Sequence, residues 1–280
     1  MMLRIVSWNI NQRSEPWYEL VNSGIDIALL QEAKPPPSEL TSQIEIDQPP
    51  PWYTGGISSN RPWRAAIARF SDRVIMQPYK LGTIEEARSY ELAVSRLGTL
   101  AIAKVTIEST GEVITLASMY GAWESPADDT GSRWIYADAS VHRIISDISA
   151  LIGRQRGHRI IVAGDLNVLH GYGEEGNAYW KARYDTVFTR MEALGLPIVG
   201  PQAPDGGEQA NPWPGELPKS SQNVPTFRTR IRHPETATRQ LDFVFASEAL
   251  VDRLHVRAMN RLDEWGPSDH CRILVELESQ

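Results

Sequence analysis

Residues 159–171 read RIIVAGDLNVLHG. A β-branched apolar run ends and at once presents an acid, Asp165, and an amide, Asn167, two positions apart. Side chains at i and i+2 of a strand share a face. If extended geometry persists to residue 167, the two side chains point the same way. Gly, Asp and Asn are also ordinary turn residues at strand ends. The stretch supports both readings on its own, and the rest of the chain has to separate them.

The same pattern recurs on either side. LRIVSW (3–8) runs into Asn9, IDIALL (25–30) into Gln31 and Glu32, and EVITLASMY (112–120) ends on Tyr120. PWYELVNSG (16–24), between the first two, reads as a short helix ending at Gly24. RAAIARF (64–70) and TLAIAKVTIE (99–108) read as strands, and ESTGEV (108–113) as a hairpin turn. A long amphipathic helix is expected at about 132–156, with Ile135, Ala139, His142, Ile145, Ile148 and Ile152 at helical spacing. Another is expected around 184–195. TFRTRI (226–231), LDFVFAS (241–247) and CRILVEL (271–277) close the chain as strands. No repeat and no linker interrupts this order, so residues 1–280 read as one domain of packed sheets with helices outside.

Composition narrows the function classes. A length of 280 residues is enough to bury a sizeable core. A formal net charge of −7 argues against a protein that coats nucleic acid, because phosphate binding is driven by Lys and Arg. It leaves room for an enzyme that touches a few phosphates and uses a metal cation. Cys271 is the single cysteine, so no internal disulfide can form. MMLRIVSWNIN has too short an apolar run for a signal peptide, and no stretch reaches the length of a membrane span. The expectation is a cytoplasmic protein with no membrane contact and no obligate protein partner.

Towards the C-terminus the order of polar and apolar residues reverses. Asp242 stands at the start of one apolar run, and Asp269 and His270 stand just before another. In antiparallel pairs the end of one strand lies beside the start of the next. Asn9, Glu32, Tyr120, Asp165, Asn167, Asp242, Asp269 and His270 can therefore gather at one rim. Each alone has a bland reading as a turn residue, a local cap or a core histidine. Their joint placement favours a shared catalytic site. A Cys271–His270 nucleophile fails, because neighbouring strand residues point to opposite faces. A zinc site fails, because the six histidines show no close pair at ligand spacing.

WNIN (8–11), LLQEAK (29–34), MY (119–120), GDLN (164–167), LDFVF (241–245) and SDHC (268–271) occur in the order of one known group. The chain resembles the endonuclease/exonuclease/phosphatase superfamily along essentially its whole length. That group includes exonuclease III, the abasic-site endonucleases, deoxyribonuclease I, sphingomyelinases and inositol-polyphosphate phosphatases. The resemblance implies a four-layer α/β sandwich, with two mixed β-sheets packed face to face and helices on the outside. It also implies divalent-metal hydrolysis of phosphate esters, with Mg²⁺ or Mn²⁺ suited to oxygen ligands. By resemblance Glu32 is the primary metal ligand, with Asn9 beside it and Asp269 near the metal. His270 faces the scissile phosphate, and Asp242 holds its tautomer. Asp165 orients the nucleophilic water or protonates the leaving group, and either Asp165 or His270 serves as the base. Asn167 and Tyr120 stabilise charge on the phosphate oxygens.

Departures from the family pattern bear on the substrate. Asn11 stands where many abasic-site enzymes carry Asp. GAW follows Tyr120 in place of the frequent Pro and Asn, Gln240 separates Arg239 from the LD pair, and Arg272 follows SDHC in place of the common Pro. Asn11 is a candidate substrate contact; His170, in the VLHG after GDLN, is either that or a plain loop histidine. Tyr120 favours nucleic acid, since exonuclease III-like and LINE-type endonucleases carry Tyr there, whereas deoxyribonuclease I, sphingomyelinases and deadenylases tend to carry His. Trp52, Trp63, Trp123, Trp213 and Trp265 fall in predicted loops, where they stack on bases or anchor the loops. Arg228, Arg230 and Arg232 form one charged strand face, either a phosphate track or a solvated edge. Residues 199–225 hold six prolines and four glycines, with Trp213 between Pro212 and Pro214. A long stiff loop of this kind suggests a substrate-contacting flap with Trp213 as a stacking residue, or an idle surface loop. The reading is a Mg²⁺-dependent phosphodiesterase acting on DNA as an endonuclease or exonuclease. The alternatives are an enzyme for a small phosphate ester, such as a nucleotide or phospholipid head group, and a binding module that has lost catalysis.

Overall fold

Apolar runs covered on both faces account for the central strands. The computed structural model describes residues 2–47, 52, 63–124, 136–152, 157–229 and 232–280. In chain order the elements begin with β1 (Met2–Asn9), α1 (Glu15–Asn22), β2 (Ile27–Ala33), β3 (Glu45–Ile46) and β4 (Arg64–Arg69). They continue with β5 (Val74–Pro78), β6 (Leu81–Thr83), β7 (Leu92–Val94), β8 (Leu100–Ile107) and β9 (Val113–Tyr120). After α2 (Ala137–Ile152) come β10 (Ile160–Asp165), α3 (Ala178–Ala193), β11 (Ile198–Gly200) and β12 (Asp242–Ala246). The last are α4 (Glu248–Val251), β13 (Leu254–Ala258) and β14 (Ile273–Glu278).

Two six-stranded sheets form, in the orders β13-β14-β1-β2-β4-β3 and β11-β12-β10-β9-β8-β5. Both are mixed. β1 is parallel to β2 and antiparallel to β14, and β10 is parallel to β9 and antiparallel to β12. Alternate residues explain the layering. Ile5, Leu29, Ile67, Leu116, Ile161 and Val244 fill the space between the sheets. Their chain neighbours Val6, Leu30 and Ala66 pack outward with Trp17 and Leu20 of α1. On the other side Val162, Phe243 and Phe245 meet Ile144, Ile145 and Ile148 of α2 and Val187 and Met191 of α3. The result is the four-layer sandwich expected from the sequence. Among the described residues, no helix is long and apolar enough to cross a membrane.

Glu112, in the turn before β9, ties the sheets together at the end away from the strand termini discussed below. Its carboxylate accepts from both terminal nitrogens of Arg253 at 2.8 and 2.7 Å, from Arg159 at 3.1 Å and from the Gln280 amide at 3.1 Å. These partners come from the starts of β10 and β13 and from the residues after β14.

Three elements differ from the sequence reading. α3 begins at Ala178, ahead of the expected 184, because the Asn177 side chain accepts the Tyr179 amide and caps the helix. In α2 the buried face is Ala137, Val141, Ile144, Ile145 and Ile148, while Ala139 and His142 are half-buried; Ile135 and residues 153–156 lie outside the described residues. The described part of TFRTRI, residues 226–229, is not a strand. Phe227 makes only isolated bridges to Arg239 and His270, since the Thr226 hydroxyl is committed to the amides of Leu241 and Asp242. Arg230 lies outside the described residues.

Candidate active site

Strand register assembles half of the site. Asp165, the last residue of β10, pairs with Tyr120 of β9 on one side and Asp242 of β12 on the other. Directly opposed residues share a face, so an acid, a phenol and an acid form one row across the end of a sheet. Gly164 makes the row possible: a side chain there would meet the Met119 carbonyl oxygen at 1.8 Å.

The other sheet contributes Asn9 and Glu32. Asn9 ends β1 and pairs with Gln31. Gln31 is fully buried and donates to the Ser118 hydroxyl and to the Leu29 carbonyl, both at 3.0 Å. The β2–β4 pairing is irregular between Leu30 and Ala33, and Glu32 adopts a left-handed φ of 47°. Such a bulge re-aims a side chain. The Glu32 carboxylate accepts from the Tyr120 hydroxyl at 3.1 Å and the Asn9 amide at 3.4 Å. Asn9 also donates to Asp165 Oδ2 at 2.9 Å, while its own Oδ1 accepts the Asn11 amide at 2.9 Å. One amide thus spans the two sheets and links the two acids.

GDLN forms a turn that also keeps Asn167 beside Asp165. Asn167 has a φ of 52°, so extended geometry does not persist past Asp165. The turn folds Asn167 back, and its backbone N–H reaches Asp165 Oδ1 at 3.0 Å. Its side-chain amide donates to Asp165 Oδ2 at 3.2 Å and to the Gly121 carbonyl at 3.0 Å.

His270 arrives on the turn into β14. The Trp8 indole donates to its carbonyl at 2.9 Å, and the Ser268 hydroxyl donates to the Asn9 carbonyl at 2.6 Å. The imidazole is buried at 4% exposure, with Asp165 and Asp242 at 1%. Nδ1 donates to Asp242 Oδ2 at 2.8 Å, and Nε2 lies 3.7 Å from Asp165 Oδ2. Phe227 covers the ring at 4.9 Å between centroids. Burial pushes the Asp165 carboxyl up to about 7, partly offset by the His270 charge and reinforced by Asp242. Burial disfavours the His270 cation, but Asp242 and Asp165 outweigh it and raise the ring to about 10. An acid able to be neutral therefore faces a base held cationic.

Asp269 is half-buried and accepts from the Ser268 hydroxyl at 3.3 Å, while its backbone carbonyl takes the Arg228 amide at 2.9 Å. His270 pairs with Asp242 and faces Asp165. Glu32, Asp165, Asp242 and Asp269 make the site rich in carboxylate oxygens. Such a donor set fits a hard divalent cation. Asp165, Asp242 and His270 also bring one ligand atom each within 4.8 Å of one another.

The profile of the Endonuclease/Exonuclease/phosphatase family matches residues 6–270. The chain belongs to this family. No relative is detected among curated proteins by sequence alone. Solved structures extend the likeness of fold. The APE2 catalytic domain of Xenopus laevis superposes with a TM-score of 0.65 at 15% identity, over 98% of this chain and 91% of that one. The AP endonuclease LMAP from Leishmania major gives 0.62 at 14%, over 100% and 88%. The 3′ phosphatase NExo from Neisseria, bound to a product DNA hairpin, gives 0.58 at 16%, over 99% and 100%.

In this family member the other sequence candidates have other surroundings. His170 packs on Phe188 at 4.4 Å between centroids, and its carbonyl accepts the Asn223 amide at 2.7 Å. Burial pushes its ring below the ordinary histidine range. Trp213 is half-buried and donates its indole N–H to Leu217 at 2.9 Å within its own loop. Trp63 is buried edge-on against Tyr120 at 4.8 Å, and Trp265 is buried and donates to Ser268 at 3.2 Å. Trp52 lies over Arg64 at 4.5 Å, and Trp123 is exposed. Asn11 sits beside Asn9 in a left-handed conformation. Sequence reasoning missed Gln12, which donates to Glu32 Oε2 at 3.3 Å, and Thr226, which holds the backbone of Asp242. A threonine ahead of an aromatic was a usable signal for Thr226; nothing local marked Gln12.

Proposed function

We propose that this chain is a divalent-metal-dependent phosphodiesterase that hydrolyses DNA. The observation that carries the reading is the hydrogen-bonded convergence of Glu32, Asn9, Asp165, Asp242 and His270 from both sheets, with Asp269 next to His270 in the chain. Support for DNA comes from the structural neighbours, an AP endonuclease and a 3′ phosphatase bound to a DNA hairpin among them, and from Tyr120 in place of histidine. In this reading Glu32 and Asp269 hold Mg²⁺ or Mn²⁺, with Asn9 setting the spacing between Glu32 and Asp165. A cation held there would supply positive charge to offset that developing on the phosphoryl oxygens. Asp165 and His270 act as one acid–base unit that takes a proton from water and returns one to the leaving oxygen. Asp242 fixes the imidazole with Nε2 turned to Asp165. The Asn167 amide would turn to a phosphate oxygen, while the Tyr120 hydroxyl donates to Glu32.

The test is purified protein with Mg²⁺ or Mn²⁺ against supercoiled plasmid, abasic duplex, single-stranded DNA, RNA and small phosphate esters. Metal-dependent scission of one of the DNA substrates is expected. Turnover of small esters alone overturns the DNA assignment, and no turnover of any substrate overturns the enzyme assignment.

A further inference from the structure

The Glu32 carboxylate is surrounded by three donors. Tyr120 OH and Asn9 Nδ2 both donate to Oε1, at 3.1 and 3.4 Å, and Gln12 Nε2 donates to Oε2 at 3.3 Å. A carboxylate oxygen has about two acceptor sites. Among the described residues, Oε1 thus has two donors, whereas Oε2 has one and keeps a site open.

Gln12 is held in place at a conformational cost. Asn11 and Gln12 are consecutive left-handed residues, with φ of 46° and 58°. Glutamine has no special tolerance for that region, and such outliers persist only where surrounding contacts impose them. Here the Gln12 backbone N–H donates to the Glu32 carbonyl at 3.0 Å and the Arg13 N–H to the Ile10 carbonyl at 2.9 Å. Main chain and side chain of Gln12 therefore hold the same residue, Glu32, which is itself left-handed.

We infer that Gln12 is a positioning residue for the metal-binding carboxylate: its amide fixes the rotation of Glu32 so that Oε2 alone is offered to the cation. The inference rests on the metal-dependent reading above. Groups that orient a ligand commonly change metal affinity 10- to 100-fold when removed.

The experiment is Mn²⁺ titration followed by the electron paramagnetic resonance signal of free Mn²⁺, on wild type, Gln12→Gly and Gln12→Asn. Glycine adopts positive φ freely, so Gln12→Gly removes the amide and keeps the turn. Asparagine also tolerates this region but is one methylene short of Glu32. Thermal unfolding in EDTA is measured on all three as the check on folding. Both variants are expected to bind Mn²⁺ about 10-fold more weakly, with midpoints in EDTA no lower than wild type. A Kd within about twofold of wild type in both variants overturns the inference while the metal reading stands. Wild type that binds no Mn²⁺ overturns the metal reading, and this inference with it.

Discussion

His270 Nε2 stands 3.7 Å from Asp165 Oδ2, although β10 carries the acid and the turn into β14, in the opposite sheet, carries the imidazole. The gap is longer than a direct hydrogen bond, and each group reaches it already tied on its far side, His270 by Asp242 and Asp165 by Asn9 and Asn167. Such a pair works as a unit or not at all. His270→Ala is expected to lower turnover by at least about 10²-fold, and Asp242→Asn to act in the same direction. The double variant should lose much less than the sum of the two free energies. Steady-state kinetics on all three, with fully additive losses, would show that Asp242 acts independently of the imidazole.

Metal removal gives the second expectation. EDTA should abolish hydrolysis, and Mg²⁺ or Mn²⁺ should restore it. Glu32→Gln should keep the circular dichroism spectrum and lose most of the rate, because an anionic oxygen ligand becomes a neutral one. Undiminished turnover in excess EDTA contradicts the role given to Glu32.

Glu112 provides a pH-dependent stability test away from the site. Hydrogen bonds from Arg253 hold its carboxyl below the ordinary value of 4.5. A carboxylate depressed in the folded state stabilises the fold above its unfolded value, and that contribution is lost as pH falls through the folded value. Glu112→Gln should cost about 2 kcal/mol at pH 7. Urea unfolding of both proteins from pH 7 downward should show the difference shrinking once the pH passes below 4.5. A difference that stays constant into acid would assign the loss to packing.

Trp213 tests the long loop. Its indole N–H is satisfied inside the loop and its ring packs against the hydrophobic core that includes residues of α2 and α3. Trp213→Ala should therefore lower stability, by about 2 kcal/mol for a half-buried ring. Rates on a polynucleotide and on bis-p-nitrophenyl phosphate should fall together. A drop on the polynucleotide alone would instead establish the loop as a substrate flap.

The acids and the histidine were legible because each follows or precedes an apolar run, and such runs place their ends at sheet rims. Asn167 was legible as a turn residue, and its left-handed backbone folds it back onto Asp165. Gln12 was hidden because its partner lies 20 positions away and glutamine carries no signal for a positive φ. The start of α3 was missed although Asn177 is an ordinary capping residue; the polar first turns of that helix masked its period. β13 was missed because LHVRA alternates over too few residues to separate from a loop. TFRTRI was misread because alternation suits a strand equally well when a threonine hydroxyl has already taken the neighbouring amides.

Trp8 and His270, joined by a hydrogen bond, are 262 positions apart, and β1 lies between β2 and β14. Synthesis runs from one end of the chain to the other. A ribosome that has completed β12 has made Asn9, Glu32, Asp165 and Asp242, yet β1 still lacks its β14 neighbour and no imidazole exists to face Asp165. The acids wait, uncoupled, for the closing strand. The proposed activity should therefore be absent from the nascent chain until β14 has been made. Chains stalled before residue 268 should be inert towards substrate, and chains carried past residue 278 on a linker long enough to clear the exit tunnel should be active.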